Sequence, residues 1–494
     1  MVLSKTDYLE YRDCKKNAWV KIHKSDVYKR FPPSEFDQLI MKSGSEVENV
    51  ARDLFPGGIL IRGRDAVAQA TTLSYLETKQ PILFQAVFQQ GGFLAATDVL
   101  EYDPEIQAYN LYEIKSKNDI DKKTHYHDAA FQVNLLKNCG IKINKVFIIH
   151  LNKEYKRFRS IDIKSLFTIA NITEEVGKIL EEVSLEMTSA LKYLSQEELP
   201  EGHCQCVYKG RSSHCTTFTY LNADIPKYSV HDLSRITPKK LQELIDSNIH
   251  TIEAIIDESK YTANQQNQIR VQRTGKIIID KDAIAKELRS LHYPLYFIDY
   301  ETYAAALPRH DGHSPYTQIP FQFALCVLDS PEAELKRLEF IYTGEENPDT
   351  YFVNAMREYI GNEGTIIVWY KPFEATRNKE LAERLPETRE FLESVNNRIY
   401  DLMDIFKNQY YVHKGFLGKS SIKNVLPIVA PTLSYKELDI QNGGSASEQW
   451  NRIYTEELTD EEKEKIINNL KEYCGLDAYA MYAIWCELNK IISN

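Results

Sequence analysis

Asp299 and Glu301 stand two residues apart at the end of the apolar run Tyr296-Phe297-Ile298. On an extended strand that spacing turns both carboxylates to one face. Neighbouring carboxylates repel unless a cation lies between them, so the pair predicts a divalent-metal site. A second set of similar character lies upstream: Asp98 ends one alternating apolar segment, and Glu113 and Lys115 share a face of the next. Two carboxylates hold Mg2+ or Mn2+ through oxygen. A lysine beside them can orient an attacking water and stabilise negative charge on phosphate. A third set is made of sulfur: of the eight cysteines, Cys14, Cys204, Cys206 and Cys215 lie outside the apolar or helical settings that mark Cys139, Cys326, Cys474 and Cys486 as core. In a reduced chain such a group predicts a bound metal or cluster.

The elements that must position these residues follow from periodicity. Ser4, with Asp7 three residues on, is expected to cap an opening helix that ends near Cys14. A helix over 45–55 carries the stripe Val47, Val50, Ala51 and Leu54 and stops at Pro56-Gly57-Gly58. Glu48 and Arg52 lie on another of its faces, i, i+4, as a surface ion pair in the plain reading. Strands are expected over 81–88, 92–100 and 109–115, then a helix over 128–140 with Gln132 one turn after Asp128, then a strand over 145–151. Pro238 after Thr237 starts a helix in a small connector.

Strands over 320–327, 338–342 and 364–370 then accompany the one bearing Asp299. The last of these runs into a helix that starts with Lys371 and carries Glu374. Asp401 and Asp404 add further acids, and Tyr473 and Asp477 share a face of a late helix, i, i+4. Residues 415–427 hold a helix start where Ser421 and Lys423 could bind a substrate phosphate; simple capping by Ser420 or Ser421 is the plain alternative. Gly443-Gly444-Ser445-Ala446-Ser447 reads as a loop near the site.

The order Asp98, Glu113-x-Lys115, then Gln132 on the following helix resembles the RecB-like branch of the PD-(D/E)XK nucleases, which includes CRISPR-adaptation and AddB-type enzymes. The resemblance covers residues 1–220. It implies that Asp98 and Glu113 are metal ligands, that Lys115 and Gln132 shape the catalytic site, and that an earlier helix supplies another acid, for which Glu48 is the candidate. It also implies a 4Fe–4S cluster on Cys14, Cys204, Cys206 and Cys215, with zinc through His203 or His214 as the alternative.

Asp299-x-Glu301, Glu374 after a later strand, and Tyr473-x-x-x-Asp477 resemble the DEDDy 3′–5′ exonucleases of the RNase H-like fold. That resemblance implies a pair of metal ions about 4 Å apart, with Asp299, Glu301, Glu374 and Asp477 as ligands and Tyr473 orienting the water. Asp401 or Asp404 are alternatives to Glu374. Through Asp299-Tyr300-Glu301-Thr302, Pro320-Phe321-Gln322, Trp369-Tyr370-Lys371-Pro372-Phe373-Glu374 and Tyr473-Cys474-Gly475-Leu476-Asp477, most of the C-terminal stretch also resembles a bacterial family of uncharacterised domains that follows RecB-like modules.

The fold expected is therefore α/β: two mixed-sheet nuclease-type domains, over 1–220 and 291–494, joined by a small helical connector over 221–290. The expected function is metal-dependent cleavage of nucleic acid, DNA favoured over RNA, in bacterial repair or defence. The alternatives are a nucleic-acid-binding or scaffolding component of a defence or repair complex with a degenerate site, and an RNA-processing 3′–5′ exonuclease.

Composition agrees with a globular chain: 494 residues, 43% hydrophobic and 27% charged, a length that calls for more than one core. A net charge of −11 argues against a protein that coats nucleic acid indiscriminately. It leaves room for a nuclease, whose ligand carboxylates add to the count. No apolar run approaches the roughly 18 residues of a membrane span, and the N-terminus has no apolar signal core. A cytoplasmic location without membrane partners is expected.

Overall fold

A computed structural model describes residues 1–493. The fold is α/β with mixed sheets and divides into two units. The first holds Met1–Asp224 together with Ala305–Tyr316, and the second holds Ile225–Ala304 and the chain from Thr317 onward.

The first unit is built on a seven-stranded sheet: β1 (Leu3–Ser4), β2 (Ile59–Leu60), β3 (Ile82–Gln90), β4 (Phe93–Asp103), β5 (Ala108–Lys115), β6 (Ile143–Leu151) and β7 (Phe167–Asn171). Strands β2 to β7 lie in sequence order across the sheet, and β1 pairs with β4. The β3–β4 and β4–β5 pairs are antiparallel, whereas β5 and β6 run parallel, joined by the crossover helix Lys122–Asn138. That helix buries Phe131, Leu135 and Leu136 in a core shared with Leu83, Val87, Leu100 and Leu111. A second core on the other face takes Val47 and Ala51 against Val99, Ile149 and Leu151. Ser4 and Asp7 form the expected capping box, and Cys14 caps the C-terminus of the helix Lys5–Asp13.

Two helix starts differ from expectation. The helix expected over 45–55 spans Glu35–Ala51, because Ser34 and Asp37 form a capping box ten residues earlier. The crossover helix starts at Lys122, where Asp121 accepts the Lys123 backbone N–H.

The second unit carries a five-stranded sheet in the order β11-β10-β9-β12-β13. Its strands are β9 (Leu295–Ala304), β10 (Gln318–Leu328), β11 (Lys336–Ile341), β12 (Thr365–Val368) and β13 (Ile399–Asp401). A separate antiparallel pair joins β8 (Ile278–Ile279) to β14 (Tyr411–Val412). β9 is central, antiparallel to β10 and parallel to β12. Alternation along β9 divides its side chains. Tyr296, Ile298 and Tyr300 enter the core with Phe323, Phe352 and Val368. Phe297 turns to the opposite face and packs against Trp485 of the long helix Asp460–Ser493. Asp299 and Glu301 follow Phe297 at the same parity, so their carboxylates come out on the helix side.

The stretch Gly443-Gly444-Ser445-Ala446-Ser447 is not a loop. It opens the helix Gly443–Thr455, whose cap Asn442 accepts the Ser445 N–H. A Cβ added at Gly443 would stand 3.5 Å from Glu301 Oε2, so the missing side chain leaves room beside the acids. No helix among the described residues is long and apolar enough to cross a membrane.

Candidate metal centres

In the second unit β9 and the helix Asp460–Ser493 bring Asp299, Glu301 and Asp477 together. Each offers a carboxylate oxygen within 4.8 Å of the others. Glu301 and Asp477 are buried, and Asp299 keeps a partial opening. Burial and then the Asp477 charge push the carboxyls of Asp299 and Glu301 well above the usual range. Asp477 is raised to about 6 by burial, opposed by hydrogen bonds from Tyr435 and Tyr473.

Tyr435 is the residue the sequence did not disclose. Its hydroxyl donates to Asp477 Oδ1 at 2.5 Å, and its ring lies 6.2 Å from that of Tyr473. Lys423 stands over both rings, with Nζ 5.6 and 5.4 Å from their centroids. Its ammonium pulls all three acids downward without overcoming burial. Lys423 also donates to the Gln441 carbonyl at 2.6 Å. Ser421, exposed at the start of the helix Ile422–Val429, donates to Asn424 Oδ1.

Glu374 lies outside the three-acid group. It is 1% exposed, and its Oε2 has no hydrogen-bond partner. Burial raises it to about 8, and its charge still reaches Asp299 and Glu301. Asp401, the alternative ligand, is already committed. It accepts the backbone N–H groups of Tyr370 and Lys371 at 3.0 and 2.9 Å and so caps the helix Lys371–Arg384. Tyr370, expected to end the strand, instead takes a left-handed conformation (φ 87°) to make that turn. Asp404 forms an exposed pair with Lys407.

In the first unit Asp98, Glu113, Lys115 and Gln132 meet at the C-terminal end of β5, joined by Lys5 and Asp128. Glu113 Oε1 accepts from Lys115 at 2.8 Å and from Lys5 at 2.7 Å, and its Oε2 accepts from Gln132 at 2.7 Å. Asp128 accepts from Lys115 at 2.6 Å and from Gln132 at 3.0 Å. Burial alone would raise Glu113, but the two lysines hold it well below the usual range. Asp98 is raised to about 7 by burial and the Glu113 charge. Its Oδ2 accepts the Ile114 N–H at 2.8 Å and its Oδ1 accepts from Gln85 at 3.0 Å. Gln85 interrupts the β3–β4 ladder with φ 54°, and it also donates to Glu48 Oε1 at 2.5 Å. Glu48 thus keeps its ion pair with Arg52 and reaches Asp98 through Gln85.

The four singled-out cysteines converge. Cys14, Cys204, Cys206 and Cys215 are buried with their sulfurs within 4.8 Å of one another. The Cys204–Cys215 separation is 3.9 Å, close to the edge of a tetrahedron built on Zn–S bonds of about 2.3 Å. A cubane, with one thiolate on each of four irons, needs the sulfurs farther apart. Hydrogen bonding, from Cys14 first, pulls Cys204 below the usual thiol range. The surrounding contacts hold the loop. Asn222 exchanges hydrogen bonds with Cys204, Asn17 accepts from the Thr217 N–H and hydroxyl, and buried Lys16 donates to the Glu201 carbonyl at 3.0 Å. His203 and His214 stay outside the thiol group. His203 faces Asp224, and His214 stacks on Phe218 with Nε2 at the Lys209 carbonyl.

Comparison with known proteins finds similarity to uncharacterised proteins and to a domain family of unknown function. Residues 296–421 match the family model of DUF2779, a domain of unknown function. The chain is similar to the uncharacterised protein MG366 homolog of Mycoplasma pneumoniae, with 24% identity over 379 residues, covering 68% of this chain and 56% of that protein. It is also similar to the uncharacterised protein UU173 of Ureaplasma parvum, with 27% identity over 299 residues, 56% of this chain and 42% of that protein. The chain spans about half the length of these two relatives. No solved structure matches.

Proposed function

We propose that the chain is a metal-dependent nuclease, with an RNase H-like site at Asp299, Glu301 and Asp477 and a PD-(D/E)XK-type site at Asp98, Glu113 and Lys115. The observation that carries the reading is the three-acid group. Carboxylates held within 4.8 Å of one another, two of them buried, repel in their charged form, and at neutral pH either protonation or a bound cation relieves that repulsion. An all-oxygen donor set suits Mg2+ or Mn2+. Bound there, such an ion supplies an acidified water and a counter-charge for phosphate oxygens. The unpartnered oxygen of Glu374 is a further donor of the same class.

The chain's own groups have separable tasks. Tyr435 fixes one oxygen of Asp477, leaving the other for the ion. Tyr473, hydrogen-bonded to Asp477, presents a hydroxyl that stays protonated and can orient a water. Lys423 offers the nearby positive charge for a phosphate. In the first unit, Lys115 and Gln132 hold Glu113 in place, and Lys115 is the group positioned to stabilise charge on phosphate.

One observation favours a second reading for the first unit. Both oxygens of Glu113 are taken by Lys5, Lys115 and Gln132, so that site is neutralised without a metal. It would then grip nucleic acid while the second unit cuts, as in a binding component of a repair or defence complex. The cysteines serve as a structural metal site, and their separation suits a single zinc ion better than a 4Fe–4S cluster. DNA is the favoured substrate.

The test is cleavage of end-labelled single- and double-stranded DNA and RNA in Mg2+ or Mn2+ by wild type, Asp98→Ala, Asp477→Ala and the double variant. Loss in Asp477→Ala alone supports the second reading; partial loss in each single variant, complete only in the double, supports two working sites. Unchanged turnover in all variants overturns the proposal, and preference for RNA ends would move the substrate assignment.

A further inference from the structure

A cavity of about 100 Å3 lies in the second unit between the helix Ala263–Thr274 and the segment from Phe406 to Ser420. Three exposed lysines line it, Lys414, Lys419 and Lys407, the last of them paired with Asp404 at 3.3 Å. None of its described lining residues is acidic, in a chain of net charge −11. Such a local reversal of sign concentrates anions.

The floor is built. Buried Gln268 accepts the Ser234 N–H at 2.7 Å and donates to the Tyr228 hydroxyl at 3.2 Å and the Asp232 carbonyl at 3.1 Å. The chain approaches Gln268 so closely at Gly418 that a Cβ there would collide with its Nε2. Leu417 beside it is left-handed as well, at φ 52°, a conformation costing about 1 kcal/mol or more that tends to persist where function holds it. Tyr411 and Phe416, both buried and with ring centroids 5.3 Å apart, back the cavity and show it only their edges.

The cavity is tied to the three-acid site by a short piece of chain. Ser420 lines the cavity, and its carbonyl accepts from Trp369 Nε1 at 3.0 Å, just beyond β12. Three residues on, Lys423 stands over Tyr473. Three residues span at most about 11 Å, a reach of a few nucleotides. Clustered lysines are the chemistry of a single-strand track, where ammonium groups follow phosphates.

We propose that this cavity is a subsite for a single nucleic-acid strand, holding one backbone phosphate a few nucleotides from the acids. The assignment rests on the nuclease reading of Asp299, Glu301 and Asp477, and it adds where the strand is held outside the cutting site.

The test is equilibrium binding of a fluorescein-labelled 20-nucleotide oligothymidylate to the full chain, read by anisotropy over a salt series with Ca2+ as the only divalent ion. The variant is Lys407→Glu/Lys414→Glu/Lys419→Glu, and the control of equal charge is Lys379→Glu/Lys463→Glu/Lys490→Glu. The expected result is at least a tenfold loss of affinity in the cavity variant only. The log–log salt slope should shrink by about 0.7 for the one phosphate no longer neutralised. Should the triple variant fail to fold, Lys414→Gln/Lys419→Gln carries the same expectation at smaller size. Equal affinity of cavity variant and control overturns the subsite. Displacement of the strand by thymidine monophosphate as readily as by unlabelled oligonucleotide overturns it in favour of a free-nucleotide pocket. Failure of the nuclease reading shows separately, as no cleavage in Mg2+ or Mn2+ by wild type.

Discussion

Asp477→Asn should make the protein more stable when no divalent ion is present. The side chain is buried against two other acids, and its carboxyl sits at about 6 rather than 3.8. A carboxyl raised on folding binds more protons folded than unfolded between those two values. Stability therefore falls as pH climbs from about 4 to about 6 and stays low above. At about 1.4 kcal/mol per pH unit, this one group costs the metal-free fold about 3 kcal/mol at pH 7.5. Asparagine removes the charge and keeps an oxygen that can accept the Tyr435 hydroxyl. The variant should thus gain up to about 3 kcal/mol at pH 7.5, a midpoint shift of roughly 5–10 °C for a unit of this size, and gain little at pH 4. Mn2+ should reverse the order. At a thousand times its dissociation constant it adds about 4.1 kcal/mol to wild type and much less to a variant lacking one ligand. The assay is thermal or denaturant unfolding at both pH values, with and without Mn2+. If Asp477→Asn is less stable than wild type at pH 7.5 without divalent ions, and Mn2+ stabilises both equally, the acids are not a cation site and the reasoning fails.

Three further perturbations read other parts of the structure. Tyr435→Phe removes a hydrogen bond that lowers the Asp477 carboxyl, so the pH midpoint for Mn2+ binding should move upward; an unchanged midpoint by titration calorimetry would contradict the role given to this hydroxyl. Cys14→Ser should release the metal measured by elemental analysis of wild type, zinc or iron, and weaken the docking of the loop from Cys204 to Cys215. Metal-free wild-type protein would remove that site. Lys5→Met takes one of two cations from buried Glu113; because Lys115 remains, the expected cost is about 2 kcal/mol in denaturant unfolding, below the 3–5 kcal/mol of a fully broken buried pair.

What could be seen in the sequence was what local periodicity encodes. The i, i+2 spacing of Asp299 and Glu301 and the i, i+4 spacing of Tyr473 and Asp477 set the face each residue takes, and the two faces meet. The mixed α/β pattern and most strands were visible in the same way. The residues that escaped join elements far apart in the chain. Lys5 reaches Glu113 across 108 positions and Tyr435 reaches Asp477 across 42, and neither has a repeat or motif to mark it. Gln85 was hidden for another reason: in a strand pattern it is an ordinary residue, and only its left-handed backbone turns it toward Asp98 and Glu48. Asp401 was visible as an acid, but its task, capping the helix Lys371–Arg384 through the backbone, depends on the turn at Tyr370. The helix at Gly443 was masked by glycine and serine, residues that favour loops except where a cap such as Asn442 starts the turn.

The two carboxylate sites differ in how their charge is met, and that difference orders their need for a metal. Around Glu113 the acids Glu48, Asp98 and Asp128 are interleaved with Arg52, Lys5 and Lys115, and these cations pair directly with Glu48, Glu113 and Asp128. A divalent ion entering there must displace an ammonium group from Glu113 or bind at Asp98, whose carboxyl is half protonated near pH 7. Around Asp299 the counter-charge common to all three acids is Lys423, whose ammonium lies over the tyrosine rings and bonds to a backbone carbonyl. Buried acids without a paired cation are unstable unless protonated or metal-bound. The second site should therefore saturate at lower Mn2+ than the first. Its occupancy should begin to rise with pH near 6, as Asp477 loses its proton, with Asp299 and Glu301 giving up theirs to the incoming ion, whereas the first site should fill only as Asp98 deprotonates near 7. Two binding steps separated in this order, the tighter abolished by Asp477→Asn and the weaker by Asp98→Asn, follow from the charge arrangement; a reversed assignment would mean that the lysines of the first unit yield to the metal more readily than their short contacts imply.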